Sequence, residues 1–255
     1  MYIKDFNELG YICSHWPLRS DIPTLLFVHG AGLNHAQWQA QMLNLRDQAN
    51  LIAVDLPGHA LSAHHEGEQS ISAYAGILAE LIEHLACKEL ILVGHSMGGA
   101  ACIELAIHQQ QCLAGLILIN TGAKLSVSPE LLDKISDDFP SFVQMMAEQA
   151  MTDGADIEIL QPFTDLLLQS DLKVVVNDFS ACNQFDRLEQ LSAVTCPTLV
   201  LSAELDTMTP PKYGQFLSDH LTNSHFEIIH GAAHLSPMEH PEEINNAIQR
   251  FLQSV

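Results

Sequence analysis

The sequence predicts an α/β fold, built on a mostly parallel sheet flanked by helices. Short apolar runs recur along the chain, and most of them are separated by stretches whose apolar residues return at helical spacing. Small or polar residues follow the runs, in segments such as HGAGLN, DLPGH and HSMGG. Strands that alternate with helices are typical of a parallel sheet. At 255 residues the chain fits one such core with an insertion.

The apolar runs predicted to be buried strands share a short length and a high content of Leu, Ile and Val. They are residues 24–30, 51–56, 90–94, 113–120, 198–204 and 225–231. A hairpin is predicted within residues 1–16, where YIKDF and YICSHW flank Asn7 and Gly10. The clearest helical periodicity predicts helices at residues 35–48, 71–86 and 241–252.

The alternation breaks between residues 123 and 187, where the sequence is helix-like and lacks interleaved strands. We therefore expect residues 1–122 and 188–255 to form the core and residues 123–187 to form an inserted helical cap. Apolar residues recur at helical spacing in this segment, and we expect most of them to pack and some to line an acyl pocket. They are Leu131, Ile135, Phe139, Phe142, Met145 and Met146.

Composition and charge exclude several classes of partner. The formal net charge is -21, from 10 Lys and Arg residues against 31 Asp and Glu residues. This charge repels phosphate backbones and anionic lipids, so we expect neither nucleic acid nor a membrane as a partner. The first residues, MYIKDFNELG, lack the apolar core of a signal peptide, and no apolar run approaches the ~18 residues of a membrane-spanning helix. We therefore expect a cytoplasmic protein.

Neither the cysteines nor the histidines predict a metal site. The cysteines show no C-x-x-C pair, so reduced, structural thiols are expected at residues 13, 87, 102, 112, 182 and 196. His64 and His65 stand beside Glu66, but adjacent histidines converge on one metal less readily than a helical i, i+4 pair. We interpret them as solvated loop residues and expect neither a metal nor a cofactor.

A reactive serine lies where the third apolar run meets a helix-like stretch, in LILVGHSMGG. Gly94, Gly98 and Gly99 surround Ser96, and small neighbours permit a turn so sharp that the serine backbone is strained. Such a turn holds the hydroxyl exposed and places a helix N-terminus behind it. We predict that Ser96 is a nucleophile; a plain glycine-rich turn with a capping serine is the alternative.

The base that a nucleophilic serine needs is predicted to be His234. In an open parallel sheet, ligands bind beyond the carboxyl ends of the strands, and His234 follows the last predicted strand in IIHGAAHLSPMEHP. The order serine, acid, histidine along the chain supports this choice. His230 is the competitor, and we expect it to lie in the strand itself.

The acid that orients the histidine is predicted to be Asp206. It follows the fifth run, precedes the histidine and lies on a loop in VLSAELDTMTPP. Glu204 stands nearer to the strand end and remains the alternative. The segment after the fourth run, residues 120–122, offers no carboxylate, so the acid must come from the later loop.

An oxyanion hole is predicted from two backbone N–H groups, those of Met97 and Ala31. Met97 follows the nucleophile, and Ala31 lies in an early strand-to-helix loop of small residues, with Gly32 as the reserve candidate. We expect His29 to orient this loop and Asp55 to anchor the loop after the second run.

The segments HGAGLN, DLPGHALS, GHSMGG, AELDTMTP and GAAHLSPMEHPEEI resemble, in order, the landmarks of the α/β-hydrolase superfamily. The resemblance covers most of the chain outside the predicted cap. It implies the α/β-hydrolase fold and a triad of Ser96, Asp206 and His234. One departure is Ala203, since the family commonly has glycine at the strand end before its acid.

Within this superfamily, Ser96 argues against epoxide hydrolases and haloalkane dehalogenases, which use aspartate, and His95 argues against carbon-carbon hydrolases, which tend to carry Asn there. We expect hydrolysis of carboxylic esters with small to medium, uncharged acyl groups through an acyl-serine intermediate, the partner being a small-molecule ester. Lactone opening, thioester hydrolysis, perhydrolysis and receptor-like binding with little turnover are alternatives.

The length and layout are also similar to those of esterases that cleave the pimeloyl methyl ester carried by an acidic carrier protein. Charge argues against this role, because a chain with a net charge of -21 repels an anionic partner. The basic residues of the predicted cap are few: Lys124, Lys134, Lys173 and Arg187.

Overall fold

The computed structural model of the chain describes residues 1–64, 68–108 and 113–255. His65, Glu66 and Cys112, named above for metal binding and thiol chemistry, lie outside these residues. Within them the strands are β1 (Tyr2–Phe6), β2 (Leu9–Cys13), β3 (Thr24–Val28), β4 (Asn50–Val54), β5 (Leu90–His95), β6 (Leu113–Ile119), β7 (Thr198–Ala203) and β8 (Ser224–Ile229).

These strands form one sheet in the order β1-β2-β4-β3-β5-β6-β7-β8. The pairs β1-β2 and β2-β4 are antiparallel, and all later neighbours are parallel. The predicted mostly parallel sheet is confirmed, and each apolar run coincides with a strand. Parallel pairing brings the carboxyl ends of β3, β5, β6, β7 and β8 to one edge of the sheet.

The hairpin at the start of the chain turns at Asn7 and Glu8, which both have positive φ angles of 51° and 66°. The turn is shorter than the predicted one between YIKDF and YICSHW, because Gly10 lies inside β2. A Cβ at this position would collide with the Cβ of Leu61 and lie 2.9 Å from its carbonyl carbon. Close packing against Leu61, rather than the turn, therefore requires this glycine.

Helices cover both faces of the sheet. The core helices in the described residues are α1 (Gln39–Asn44), α2 (Ile71–Leu85), α3 (Met97–His108), α8 (Pro211–His220), α9 (Ser236–Glu239) and α10 (Pro241–Leu252). The helix predicted at residues 35–48 is shorter than expected. It begins as a 3-10 turn capped by Asn34, whose side chain accepts from the Ala36 N–H, and its α-helical part ends at Asn44.

Alternate side chains of the strands enter two separate apolar layers. Residues of α2, α3 and α8 pack with Leu26, Leu92 and Leu116 on one face of the sheet. Residues of α1 and α10 pack with Phe27 and Ile117 on the other face. Both layers are fully buried, as expected of near-continuous apolar strands in a parallel sheet.

Four helices lie between β6 and β7 in the described chain, namely α4 (Pro129–Asp137), α5 (Phe139–Ala150), α6 (Ile157–Gln169) and α7 (Leu172–Gln184). They enclose an apolar cluster of their own, which Leu33 and Leu235 of the core join. Lys124 and Asp186 pair in an antiparallel β-bridge, with an ion pair of 2.8 Å, where the chain enters and leaves this helical segment.

Four of the described cysteines are buried, namely Cys13, Cys102, Cys182 and Cys196, and burial raises the pKa of the first three thiols. They therefore behave as small apolar side chains. Among the described residues, no helix is long and apolar enough to span a bilayer.

The backbone contact beneath α3 predicts a sharp difference between two glycine substitutions. A Cβ at Gly98 would overlap the carbonyl oxygen of Val28 and lie 2.6 Å from that of His29. Because backbone atoms cannot swing aside, Gly98→Ala should lower the free energy of unfolding by at least about 2 kcal/mol. Gly76 in α2 is exposed with nothing within 4 Å of its Cβ position, so Gly76→Ala should raise it by about 0.5–1 kcal/mol.

Urea unfolding of both variants and the parent chain measures these changes. Equal small effects at the two positions would contradict the assigned packing of α3 on β3.

Candidate active site

Ser96 lies in the turn between β5 and α3, and its backbone is strained as the sequence predicts. Its φ angle is 51°, in the left-handed region that side-chain-bearing residues rarely adopt. The turn is held by the Ser96 N–H, which donates to Ile119 O at 3.0 Å, and by the Thr121 hydroxyl, which donates to Ser96 O at 2.7 Å. A Cβ at Gly94 would lie 2.5 Å from Gly98 O, so the turn requires glycine there.

His234 contacts both of the other predicted triad residues. Its Nε2 lies 3.0 Å from Ser96 Oγ, and its Nδ1 lies 2.7 Å from Asp206 Oδ2. The carboxylate of Asp206 only accepts hydrogen bonds, so Nδ1 carries the proton and the lone pair of Nε2 faces the serine hydroxyl. The three side chains thus form a continuous hydrogen-bonded line that ends at Ser96 Oγ.

The loop after β7 fixes the carboxylate of Asp206. Its Oδ1 accepts the N–H groups of Met208 and Thr209, each at 2.8 Å, and its Oδ2 accepts the Thr209 hydroxyl at 2.8 Å. Burial alone would raise the pKa of Asp206, but attraction to the His234 ring in its protonated form and hydrogen bonds from His234 and Thr209 lower it to about 2. Asp206 is therefore ionised at neutral pH.

The alternative acid and base residues lie apart from Ser96. Glu204 accepts the Gly231 N–H at 3.0 Å, and its Oε2 lies 3.3 Å from His230 Nδ1. Both side chains are exposed, at 48% for Glu204 and 80% for His230. Glu204 directly follows β7, and His230 directly follows β8 instead of lying in the strand as expected. They form a surface pair, and the geometry favours Asp206 and His234 over them.

Two buried residues hold the backbone of the histidine loop, and sequence reasoning missed both roles. The carbonyl oxygen of His234 accepts from Asn120 Nδ2 at 2.7 Å and from His95 Nε2 at 2.8 Å. Asn120 also accepts the Ala203 N–H at 2.8 Å, so it ties the ends of β6 and β7 to this loop. The only signal in the sequence was a polar residue at the end of a buried strand. Burial and the neighbouring His234 lower the pKa of His95 to about 3, so it is neutral.

The predicted oxyanion-hole residues lie on two adjacent segments. The N–H groups on either side of Ala31 are engaged, since Gly30 donates to Gln37 Oε1 at 3.0 Å and Gly32 donates to Asp178 Oδ2 at 2.8 Å. Within the described residues, the N–H groups of Ala31 and Met97 make no hydrogen bond to protein. The hydrogen bond of Gly32 disfavours it as the reserve donor and supports Ala31.

Two residues expected to shape the neighbouring loops do so. His29 Nδ1 donates to Gly30 O at 2.8 Å, and its Nε2 accepts the Leu56 N–H at 3.0 Å. Burial is the main cause that lowers the pKa of His29 to about 4, which leaves it neutral. Asp55 accepts the N–H groups of His35 at 2.6 Å and Leu61 at 3.0 Å and so joins two loops.

A pocket opens above Ser96, and the helices between β6 and β7 form much of its wall. Most of its lining is apolar, and among the described residues that line it none is Lys, Arg, Asp or Glu. The apolar members are Ala31, Leu33, Leu125, Val127, Met146, Ala150, Phe163, Leu167, Phe179, Met208 and Leu235. Of the six apolar residues singled out in the predicted cap, Met146 lies in this wall, whereas Phe142 is fully buried in the apolar cluster that α4 to α7 enclose.

Comparison with known proteins gives relatives that span nearly the whole chain. The 3-oxoadipate enol-lactonase 2 of Acinetobacter baylyi is 26% identical over 92% of this chain and 90% of its own length. The pimeloyl-[acyl-carrier protein] methyl ester esterase of Vibrio vulnificus is 28% identical over 93% of this chain and 97% of its own. A thermophilic esterase from Thermogutta terrifontis is 27% identical with a TM-score of 0.84, covering 96% of this chain and 94% of that one.

These relatives carry names of ester and lactone hydrolases, and the predicted fold and hydrolase class are confirmed. The match to the family model spans residues 25–247, from β3 to α10. It therefore includes the nucleophile turn, the helices between β6 and β7 and the loops that follow β7 and β8. The chain belongs to the alpha/beta hydrolase family.

Proposed function

We propose that this chain hydrolyses carboxylic esters with small to medium, uncharged acyl groups through an acyl-serine intermediate. The observation that carries the proposal is the hydrogen-bonded line from Asp206 through His234 to Ser96, which ends in an apolar pocket. A degraded, receptor-like site would lack this continuity. The names of the relatives, which are esterases and an enol-lactonase, support the same chemistry.

The geometry supports a two-step reaction. Ser96 Oγ attacks the ester carbonyl while His234 Nε2 takes its proton, and Asp206 stabilises the imidazolium that forms. The negative charge on the former carbonyl oxygen is bound by the N–H groups of Ala31 and Met97, the latter at the N-terminus of α3. His234 then protonates the departing alcohol, and water releases the acid from Ser96 by the same steps.

We assign substrate selection to residues 123–187 as a cap over a core of residues 1–122 and 188–255. The helices of this segment supply Met146, Ala150, Phe163 and Phe179 to the pocket wall. The described residues of the wall include no Lys or Arg that would provide a counter-charge for an anionic acyl group. The net charge of -21 repels such a group at longer range. Both effects favour uncharged acyl groups.

Lactone opening is the second candidate, because a relative that aligns with 92% of this chain is an enol-lactonase. The same residues would act, and the alcohol would stay attached to the acid as a hydroxy acid. A carrier-protein substrate is less well supported. In the cap, Lys124 is paired with Asp186, and Arg187 is paired with Glu104 at 2.5 Å, so these cations are already neutralised locally.

Loss of the nucleophile should abolish the proposed activity. Ser96→Ala should reduce kcat for p-nitrophenyl butyrate by about 10⁴-fold or more, because no acyl-enzyme forms. A fluorophosphonate probe should label the parent chain at Ser96 and leave the variant unlabelled. An unlabelled parent chain, or a variant that retains a tenth of the activity, would refute the assignment.

Matched carboxylate variants distinguish the two candidate acids. Asp206→Asn should lower kcat by about 10³–10⁴-fold, because the amide no longer holds the histidine in the productive tautomer. Glu204→Gln removes a carboxylate of the same loop that contacts only surface groups, and it should keep kcat within about twofold. Steady-state assays of both variants decide between them, and the reverse pattern would identify Glu204 as the acid.

The depressed pKa of Asp206 also predicts a pH-dependent stability. Its pKa is lowered from 3.8 to about 2 in the folded chain, so the ionised group contributes stability above the unfolded value, which is lost as the pH falls through the folded one. The contribution is about 2 kcal/mol. Urea unfolding measures the free energy of unfolding of the parent chain and of Asp206→Asn at about pH 5 and at about pH 2.5. The difference between the two proteins should shrink by most of this amount at the lower pH. A difference that does not change with pH would contradict the assigned contacts.

Acyl-chain selection should respond to the cap residues that line the pocket. Ala150 lies in the wall, whereas its neighbour Gln149 is exposed. Ala150→Leu should move the optimum of kcat/KM in a p-nitrophenyl ester series to shorter acyl chains, since each buried methylene contributes about 0.8 kcal/mol only until the pocket is full. Gln149→Leu places the same leucine side chain outside the pocket and should leave the optimum in place. An optimum that ignores both changes would assign selection to the core loops.

A further inference from the structure

We propose that the cap positions the oxyanion hole, through Asp178 of α7 and Ser170 at the end of α6. Both side chains bind the backbone of Gly32, next to Ala31. The inference rests on the proposed function, because it assigns positioning residues to that site. It goes beyond that function, because it gives the cap a second role. Besides lining the pocket that selects substrate, the cap would hold a group that stabilises the transition state.

The cap holds both polar groups of Gly32. The Gly32 N–H donates to Asp178 Oδ2 at 2.8 Å, and Gly32 O accepts the Ser170 hydroxyl at 2.7 Å. Gly32 has a φ angle of 68°, and a Cβ there would lie 2.6 Å from Leu167 Cδ1 of the cap. The loop therefore meets the cap at a glycine whose conformation and close packing exclude other residues.

Asp178 is fully buried and is surrounded by donors. Besides Gly32, the Tyr74 hydroxyl donates to its Oδ1 at 2.6 Å, and His59 Nε2 lies 2.9 Å from its Oδ2. His59 Nδ1 faces only carbonyl oxygens, those of Leu56 and Pro57, each at 3.1 Å. Both ring nitrogens of His59 thus face acceptors, which is the arrangement of a protonated imidazole paired with a carboxylate.

The electrostatics agree with this ion pair. Burial would raise the pKa of Asp178, but the charge of His59 and the hydrogen bonds from His59, Tyr74 and Gly32 lower it. Burial would likewise lower the pKa of His59, but Asp178 outweighs burial and raises it. A buried carboxylate with three donors has no freedom to reorient, so the Gly32 N–H that it accepts is fixed in place.

The contacts of Gly32 affect catalysis because the neighbouring residue, Ala31, supplies an N–H group of the proposed oxyanion hole. Ala31 lies between Gly30, which is tied to Gln37 of the core, and Gly32, which is tied to the cap. Its N–H direction is therefore set by anchors on both sides. An oxyanion donor must be aimed before the charge develops, and a displacement of about 1 Å can cost on the order of 10²-fold in rate.

The test compares three cap variants with a control. Asp178→Leu removes all three hydrogen bonds of this carboxylate, and Asp178→Asn keeps an oxygen that can accept the Gly32 N–H. Ser170→Ala removes the hydrogen bond to Gly32 O. Glu104→Gln is the control, because Glu104 joins α3 to Arg187 through a part-buried ion pair that touches no part of the loop at residues 30–32.

We expect Asp178→Leu to lower kcat for a p-nitrophenyl ester by about 30–100-fold with KM within about threefold, since the lost interaction acts on the transition state. A trifluoromethyl ketone, which forms a charged tetrahedral adduct with the serine, should lose affinity in the same proportion. Asp178→Asn should recover much of the rate, Ser170→Ala should lose about threefold to tenfold, and Glu104→Gln should keep kcat. A loss that appears in KM alone, or an equal loss in Glu104→Gln, would overturn the inference.

Hydrogen exchange supplies a readout that does not depend on esterase activity. The Gly32 amide should exchange faster in Asp178→Leu than in the parent chain, while the amides of β5 and β6 keep their protection, and Glu104→Gln should leave the Gly32 amide unchanged. If Asp178→Leu does not fold, kcat and the exchange rate of the Gly32 amide are compared between the parent chain, Asp178→Asn and Ser170→Ala. Parent-chain inactivity on esters would refute the proposed function, whereas unchanged exchange at Gly32 in every cap variant would refute the positioning role.

Discussion

The backbone contact between α3 and the end of β3 is the constraint on which the rest of the site depends. Gly98 lies against the carbonyl groups of Val28 and His29, and this approach tolerates no side chain. It fixes the N-terminus of α3, and therefore the Met97 N–H, beside the loop that begins at Gly30. The same contact forces the sharp turn that gives Ser96 its φ angle of 51°. Core packing below the turn maintains the strain at the nucleophile.

Sheet topology explains why residues far apart in the chain meet at this turn. Ser96, Asp206 and His234 follow β5, β7 and β8, and Asn120 follows β6, which lies between β5 and β7. Each strand ends at the same edge, so a polar residue just past a buried run is already near the others. For this reason the apolar runs and the residues after them were sufficient to predict the fold, the sheet and the candidate triad.

Contacts between side chains that are distant in the sequence could not be predicted from the apolar runs and the residues after them. Asp178 and His59 are 119 positions apart and belong to segments that carry no strand signal, so nothing local in the sequence indicates that they pair. The predicted turn position of Gly10 and the predicted length of the helix at residues 35–48 were wrong for a related reason. Contact with Leu61 and capping by Asn34 depend on the loops that pack there. The periodicity of the sequence indicates which residues are buried. It does not indicate which partner each buried residue contacts, and the pairing of Asp178 with His59 and the packing of Gly10 depend on that partner.

The charge of the protein and the neutrality of its pocket act together on the reaction. Inside the site, each ionised carboxylate is stabilised locally, Asp206 by hydrogen bonds from His234 and backbone N–H groups and Asp178 by its ion pair with His59. The acidic excess behind the net charge of -21 therefore acts as a long-range field around a pocket whose described lining contains no Lys or Arg. Ester hydrolysis converts a neutral acyl group into a carboxylate anion. Such a product is poorly solvated by an apolar wall and repelled by the surrounding field, so both effects favour its departure once Ser96 is free.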